Sequence, residues 1–134
     1  MKLILVRHGE TDLTREARLQ GSTDLPLNQV GMTQARVLTE ALRQGSIDFL
    51  VSSPLLRAAE TAQIIAFAAP AHPALRIEPL IKEVGLGAWE GLTLDEVRRK
   101  YPRGARALGG GSHFRRPWRG ALRTGSQKNP FRCF

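Results

Sequence analysis

The chain has 134 residues, enough for one domain with one core, and its 42% apolar content is ordinary for a globular protein. No apolar run approaches the roughly 18 residues of a transmembrane helix, and the single cysteine, Cys133, excludes an intrachain disulfide. Because the first residues lead directly into a strand pattern, we expect no signal peptide. These features predict a cytoplasmic protein with no membrane partner.

The net charge of +8 lies entirely in the last quarter of the chain. Residues 101–134 carry basic side chains and no acid, whereas the basic and acidic side chains before them balance. We therefore predict one domain over residues 1–102 and a basic, Gly- and Arg-rich tail over residues 103–134, poorly ordered because it lacks apolar periodicity. The arginines of the tail alternate with aromatic residues, as in segments that bind nucleic acid, but an accidental basic peptide is the simpler interpretation.

The first half of the predicted domain reads as strands alternating with helices, a pattern typical of a parallel α/β sheet. The apolar run of residues 3–6 would face both sides of a sheet, and residues 2–6 therefore predict a fully buried strand. The polar residues 8–26 predict a long loop, and Asn28 is a candidate N-cap for a helix that ends at about Gly45. Residues 47–51 predict a second buried strand.

The second half of the predicted domain continues this alternation. Ser53 as a cap and Pro54 at the first helical position predict the start of the next helix. Residues 75–78 predict a short strand, and a Gly-rich loop follows it. The capping-box pattern of residues 93–96 predicts a final helix.

Two of the predicted elements carry residues suited to phosphate chemistry. Arg7, His8 and Gly9 follow the first apolar run, at the end of a sheet where open α/β folds place their ligands. A neutral imidazole can attack phosphorus, an arginine can hold phosphate oxygens in bidentate geometry, and a glycine lets phosphate approach the backbone. Arg57 lies in the first turn of the helix after the second strand, where the helix end favours anions.

A general acid for the leaving group has two candidates in the Gly-rich loop. Glu83 and Glu90 both lie there, and the residue types alone do not choose between them. Three segments, residues 7–11, 52–62 and 80–91, together resemble the motifs of the histidine phosphatase superfamily, the phosphoglycerate-mutase-like enzymes. This resemblance implies that Glu83 is the acid and that Glu90 is structural.

The resemblance also implies the remaining site residues, through the segment that starts at Gln20. The implied catalytic residues are His8 and Glu83. The implied substrate- or phosphate-binding residues are Arg7, Gly9, Glu10, Thr11, Thr14, Gln20, Gly21, Thr23 and Arg57. No metal and no cofactor are expected, because arginine and histidine supply the positive charge.

The fold implied by the resemblance is a three-layer α/β fold with a mostly parallel sheet, incomplete at the C-terminal end of this chain. The implied function is hydrolysis or transfer of a phosphate monoester, a small phosphorylated metabolite, through a phosphohistidine at His8. A phosphatase of the α-ribazole phosphatase type is favoured over a mutase-type isomerase.

The sequence departs from the family pattern at two places. Many members carry Trp-Asn where this chain has residues 12–14. Thr14 can contribute a hydroxyl there, but the contact of the asparagine with phosphate is lost. The second histidine of the family has no clear counterpart, since His72 lies between prolines and His113 follows no apolar strand. A catalytically impaired phosphate-binding remnant is therefore the alternative, and an open sheet edge predicts homo-oligomers.

A change of reading frame near residues 101–105 would explain both the charge shift and the lost pattern. Read one nucleotide later, residues 116–121 are compatible with Pro-Gly-Gly-Glu, the next loop motif of the family, because tryptophan has a single codon. We therefore interpret residues 103–134 as a truncated or frameshifted end.

Overall fold

The computed structural model describes residues 3–43, 45 and 47–104. The predicted tail, with His113 and the proposed change of frame, lies outside them apart from its first two residues and stays a prediction. In chain order the elements are α1 (Asp12–Arg15), α2 (Gln29–Leu42), β1 (Phe49–Ser52), α3 (Leu56–Ala68), β2 (Ala74–Ile77) and α4 (Leu94–Lys100), with 3₁₀ turns at Pro79–Ile81 and Gly87–Trp89.

The strands β1 and β2 pair in parallel, with Phe49 opposite Ala74 and Ser52 opposite Ile77. Helix α3 connects them and packs against both, as a parallel crossover requires. Helix α2 packs against α3, where Ala35 and Ile65 are buried. The predicted α/β class with a parallel sheet is therefore confirmed.

The predicted buried strand at residues 2–6 is wrong for the residues that the structure describes. Residues 3–6 form no strand, and the side chain of Leu3 is 75% exposed. The strand at β1 is confirmed in position but not in burial, since Phe49 is 82% exposed. Burial of an apolar strand needs a paired strand on each side and a packed layer on each face, and the described sheet has two strands.

The start of α2 agrees with the prediction, whereas the start of α3 does not. The side chain of Asn28 accepts a hydrogen bond from the Gly31 amide at 2.9 Å, as an N-cap does. Ser53 is not the cap of α3, which begins at Leu56 without a capping side chain from its own segment. The carboxylate of Asp24 instead accepts from the Leu56 amide at 2.6 Å, and its charge suits the helix dipole.

The predicted capping box of α4 is confirmed. The Glu96 amide donates to the hydroxyl of Thr93 at 3.2 Å, and the carboxylate of Glu96 accepts from the Thr93 amide at 2.7 Å. No helix in the described part of the chain combines the length and the apolar character needed to cross a membrane.

Candidate active site

The ring of His8 is oriented by the backbone that follows it. Its Nδ1 lies 2.7 Å from the carbonyl oxygen of Gly9, which can only accept a hydrogen bond. The proton of a neutral His8 ring is therefore on Nδ1, and Nε2 carries the lone pair. This is the tautomer that a nucleophilic histidine needs at Nε2.

The surroundings of His8 keep its ring neutral. Burial lowers the pKa of His8 from its ordinary value of 6.5, and the positive charges of Arg57 and Arg7 lower it further. The hydrogen bond to Gly9 and the negative charge of Glu83 act in the opposite direction without cancelling the effect. The charges that act on His8 are thus those of the residues predicted to share its site.

Two glycines bring the backbone around His8 close to α2. A Cβ atom on Gly9 would lie 2.5 Å from the carbonyl oxygen of Gly31, nearer than real Cβ atoms come, so glycine is required there. The carboxylate of Glu10 accepts from the side chain of Asn28 at 2.9 Å, and the Glu10 amide donates to Gln34 at 2.9 Å. Glu10 therefore anchors this segment to the start of α2.

Thr61 on α3 is a positioning residue that the sequence motifs did not predict. Its hydroxyl accepts from the Gly9 amide at 3.1 Å and donates to the carbonyl oxygen of Arg57 at 2.7 Å. One buried side chain thus joins the His8 segment to the helix that carries Arg57. The available signal was its place in the motif of residues 52–62.

Three predicted ligand residues bond one another in the segment after His8. Thr11 is fully buried, and its hydroxyl donates to Gln20 at 2.8 Å. The hydroxyl of Thr14 accepts from the Thr11 amide at 2.7 Å and donates to the Thr11 carbonyl at 2.8 Å. These hydrogen bonds fix the loop, and substrate contacts by the three residues stay predictions.

Arg57 is buried, with 2% of its surface exposed. Its Nη1 donates to the carbonyl oxygen of Thr23 and its Nη2 to that of Gly21, both at 2.8 Å. Burial lowers the pKa of this guanidinium from its ordinary value, and nearby carboxylates, led by that of Glu83, oppose the change. Arg57 therefore stays a cation, and the remaining N–H groups of its planar fork are suited to an anion.

Glu90 accepts hydrogen bonds from the loop at residues 21–23 and from the backbone at Leu86. Its Oε1 accepts from the amide and hydroxyl of Ser22, at 2.9 and 3.0 Å, and from the amide of Leu86 at 2.9 Å. Its Oε2 accepts from the hydroxyl of Thr23. These bonds lower the pKa of Glu90 to about 2, so it holds no proton to donate near neutral pH, in agreement with its predicted structural role.

Gly21 adopts a left-handed conformation, with φ of +52°. A Cβ atom there would lie 2.5 Å from Oε1 of Glu90, so both the backbone conformation and the available space require glycine. The loop that offers its carbonyl groups to Arg57 therefore depends on this residue.

Arg7 and Glu83 are the exposed members of the site. The charges of both act on His8, and that of Glu83 also acts on Arg57. The site thus combines a lone pair, two cations and a carboxylate, which suits attack on a phosphoryl group. Among residues 3–104, leaving aside the two undescribed positions, no three His, Cys, Asp or Glu side chains could hold a metal ion together.

The chain is similar to known proteins both in sequence and in structure. A family model, the histidine phosphatase superfamily (branch 1), matches residues 3–125. The uncharacterized phosphatase PhoE of Bacillus subtilis is 43% identical over 103 residues, which are 73% of this chain and 50% of that protein. Phosphoserine phosphatase 1 of Hydrogenobacter thermophilus is 39% identical over 102 residues, 76% of this chain and 47% of that protein.

A solved structure agrees with these relatives. A mycobacterial glucosyl-3-phosphoglycerate phosphatase in complex with VO3 superposes with a TM-score of 0.67 and 35% identity, over 75% of this chain and 49% of that one. The chain spans about half the length of the curated relatives it matches. On the family model and on these identities, the chain belongs to the histidine phosphatase superfamily.

Proposed function

We propose that this chain binds a phosphate monoester at His8 and hydrolyses it through a phosphohistidine. The observation that carries the proposal is the hydrogen bond between Nδ1 of His8 and the Gly9 carbonyl, which leaves the Nε2 lone pair available beside two arginines. The family membership and the phosphatase names of the relatives support the reaction class.

In the first proposed step, Nε2 of His8 attacks phosphorus and forms the N–P bond. The bond from phosphorus to the ester oxygen breaks, and the leaving oxygen takes the proton of the Glu83 carboxyl group. Arg57 and Arg7 bind the equatorial oxygens and offset their charge. The products of this step are an alcohol and a phosphohistidine.

In the second proposed step, the Glu83 carboxylate accepts a proton from water, and the water oxygen attacks phosphorus. The N–P bond breaks, the electron pair returns to Nε2 and inorganic phosphate forms. Glu83 is protonated again at the end, ready for the next substrate. The two steps need no cofactor, and the proposed substrate is a small phosphorylated metabolite.

A second candidate function is phosphate binding without efficient turnover. In the described part of the chain, His8 is the one histidine at the site, since His72 is exposed in the turn between α3 and β2. The family resemblance implies a second histidine across the phosphate. Loss of one preorganised group of that kind costs about 10²–10³ in rate.

Hydrolysis of p-nitrophenyl phosphate by the unsubstituted chain and by His8→Ala separates the two candidates. For the phosphatase we expect His8→Ala to lower kcat/KM about 10³-fold or more, with the exposed His72→Ala unchanged. Acid-labile ³²P label on the unsubstituted chain would identify the intermediate. Equal rates for the unsubstituted chain and His8→Ala, with phosphate still bound, would favour the binding function and overturn the proposed hydrolysis.

A further inference from the structure

Residues 21–23, here called the 21–23 loop, are held between a cation and an anion. On one side Arg57 donates to the carbonyl groups of Gly21 and Thr23, each at 2.8 Å. On the other side Glu90 accepts from the amide of Ser22 and from the hydroxyls of Ser22 and Thr23. Displacement of Glu90 would therefore free the loop whose carbonyl groups hold Arg57.

Glu90 also reaches the segment that carries the proposed acid. Its Oε1 accepts from the Leu86 amide at 2.9 Å, and Leu86 follows Glu83 closely along the chain. Glu83 itself is exposed and makes no hydrogen bond with any residue that the structure describes. Leu86 is thus a nearby point at which the Glu83 segment is hydrogen-bonded to the rest of the site.

We propose that Glu90 is a positioning residue that sets the placement of Arg57 relative to Glu83, through the 21–23 loop on one side and Leu86 on the other. The proposal rests on the proposed function, in which these two groups flank the phosphoryl group. Glu90 touches no reacting atom. It acts through the residues that its two oxygens bind.

A carboxylate is the side chain that satisfies this arrangement. All four groups that approach Glu90 are donors, and glutamine would turn an NH₂ group toward at least one of them. These donors are partly buried, and one left without its acceptor would lose a hydrogen bond that the protein now supplies. Because the pKa of Glu90 is about 2, its carboxylate stays charged over the working pH range. We therefore expect a fixed support with no pH response of its own.

The test compares Glu90→Gln with Glu96→Gln. Glu96 is a matched control because it too accepts a backbone amide, at 2.7 Å in the capping box of α4, and it belongs to no part of the proposed site. Two quantities are measured for each variant: the Kd for inorganic phosphate, and the pKa of His8 from its NMR titration, with the signal assigned by its loss in His8→Ala.

We expect Glu90→Gln to raise the Kd for phosphate about tenfold or more. Loss of a residue that orients a metal ligand weakens metal binding by a similar factor. We expect the pKa of His8 to rise, because the charge of Arg57 lowers it and Arg57 would no longer be held beside it. Glu96→Gln should lower thermal stability and leave both quantities unchanged. An unchanged His8 pKa and phosphate Kd in folded Glu90→Gln would overturn the proposal.

The pKa of His8 separates this proposal from the proposed function. If the unsubstituted chain binds no phosphate, the proposed function fails, while the shift of the His8 pKa in Glu90→Gln still tests Glu90. If Glu90→Gln does not fold, Thr23→Val removes one donor to Glu90 and Thr23→Ser keeps it. We then expect a higher His8 pKa in Thr23→Val alone, and equal values in both variants would contradict the positioning role.

Discussion

Two sides of the described part of the molecule differ in how completely their side chains find partners. The site side is defined as residues 7–27 with Arg57, Thr61 and residues 83–90. Its buried polar side chains each hydrogen-bond to a partner within it: Thr11, Gln20, Arg57 and Thr61. The sheet side, defined as residues 3–6 with β1 and β2, leaves Leu5 and Phe49 exposed. Loops and two helices can therefore hold a hydrogen-bonded site together while the apolar side chains of the adjacent sheet stay uncovered.

This difference has a physical reason. No buried side-chain nitrogen or oxygen of the described residues lacks a hydrogen-bond partner. One partner from a neighbouring segment is enough to satisfy such an atom. Burial of an apolar sheet instead needs complete layers on both faces. The site side is therefore the part of the molecule whose substitutions should have specific effects.

Arg57→Ala should have the largest effect on the site side. It removes the buried cation and leaves the carbonyl groups of Gly21 and Thr23 without their donors. We expect the free energy of unfolding to fall by about 3 kcal/mol and phosphate affinity to fall about 10²-fold or more. Urea unfolding and phosphate titration measure the two effects.

Arg98→Ala is the control for that experiment. Arg98 pairs with Asp95 on the exposed surface of α4, at 3.0 Å, and an exposed pair contributes about 0.5 kcal/mol. We expect phosphate binding by Arg98→Ala to equal that of the unsubstituted chain. Equal phosphate affinities of Arg57→Ala and Arg98→Ala would contradict the assignment of Arg57 to the site.

Gly31→Ala should have the next largest effect, and it tests the contact between α2 and the His8 segment. Alanine gains about 1 kcal/mol of helix propensity over glycine, but its Cβ would overlap backbone atoms of Glu10, including the nitrogen at 2.7 Å. Overpacking of this kind costs about 1–3 kcal/mol, and the backbone partner cannot move aside easily. We therefore expect net destabilisation in urea unfolding.

Gly45→Ala is the matched control for Gly31→Ala. A Cβ atom there would lie 3.8 Å from the carbonyl oxygen of Leu42, an ordinary contact. We expect a change in the free energy of unfolding within about 0.5 kcal/mol. A stabilised Gly31→Ala would show that the backbone segment at Glu10 does not lie against α2.

The sequence predicted local helix starts better than it predicted the burial of the sheet. The cap at Asn28 and the capping box at Thr93 depend on neighbours a few residues away, and both are confirmed. The burial of residues 2–6 depends on strands far along the chain, and that prediction is wrong for the described residues. The cap of α3 by Asp24 could not be predicted either, because it joins segments distant in sequence.

The roles of residues within the site also depend on contacts between segments that are distant in sequence. The motif of residues 52–62 selected Arg57, but not the part played by Thr61, which becomes visible only when the Gly9 amide lies beside it. Likewise, the choice of Glu90 as structural came from the resemblance, and the hydrogen bonds around its carboxylate supply the physical reason.

On the sheet side, we predict that the exposed apolar residues cause copies of the chain to associate. Exposed strands with apolar side chains pair and pack with other chains. Phe49→Lys should shift the mass measured by light scattering toward the monomer, while unfolding energy changes by about 0.5 kcal/mol at most. Val30→Lys, on the exposed face of α2, is the control and should leave the mass unchanged. A monomeric unsubstituted chain would contradict this prediction.

The smallest expected effect is the pH dependence of stability that comes from His8. The pKa of His8 is lowered in the folded state by burial and by Arg57 and Arg7, so the unfolded chain binds the proton more readily. Both states are neutral at this residue well above pH 6.5, and its contribution to stability is fully present there.

As the pH falls through 6.5, the unfolded state gains its proton first, and this contribution is lost until the folded-state pKa of His8 is also passed. The difference between the unfolding energies of the unsubstituted chain and His8→Ala should therefore shrink over this window, because alanine does not titrate. His72→Ala is the reference, since His72 is exposed. A difference that stays constant with pH would mean that the site side does not hold His8 neutral, and the available lone pair on Nε2 near neutral pH would then have no physical basis.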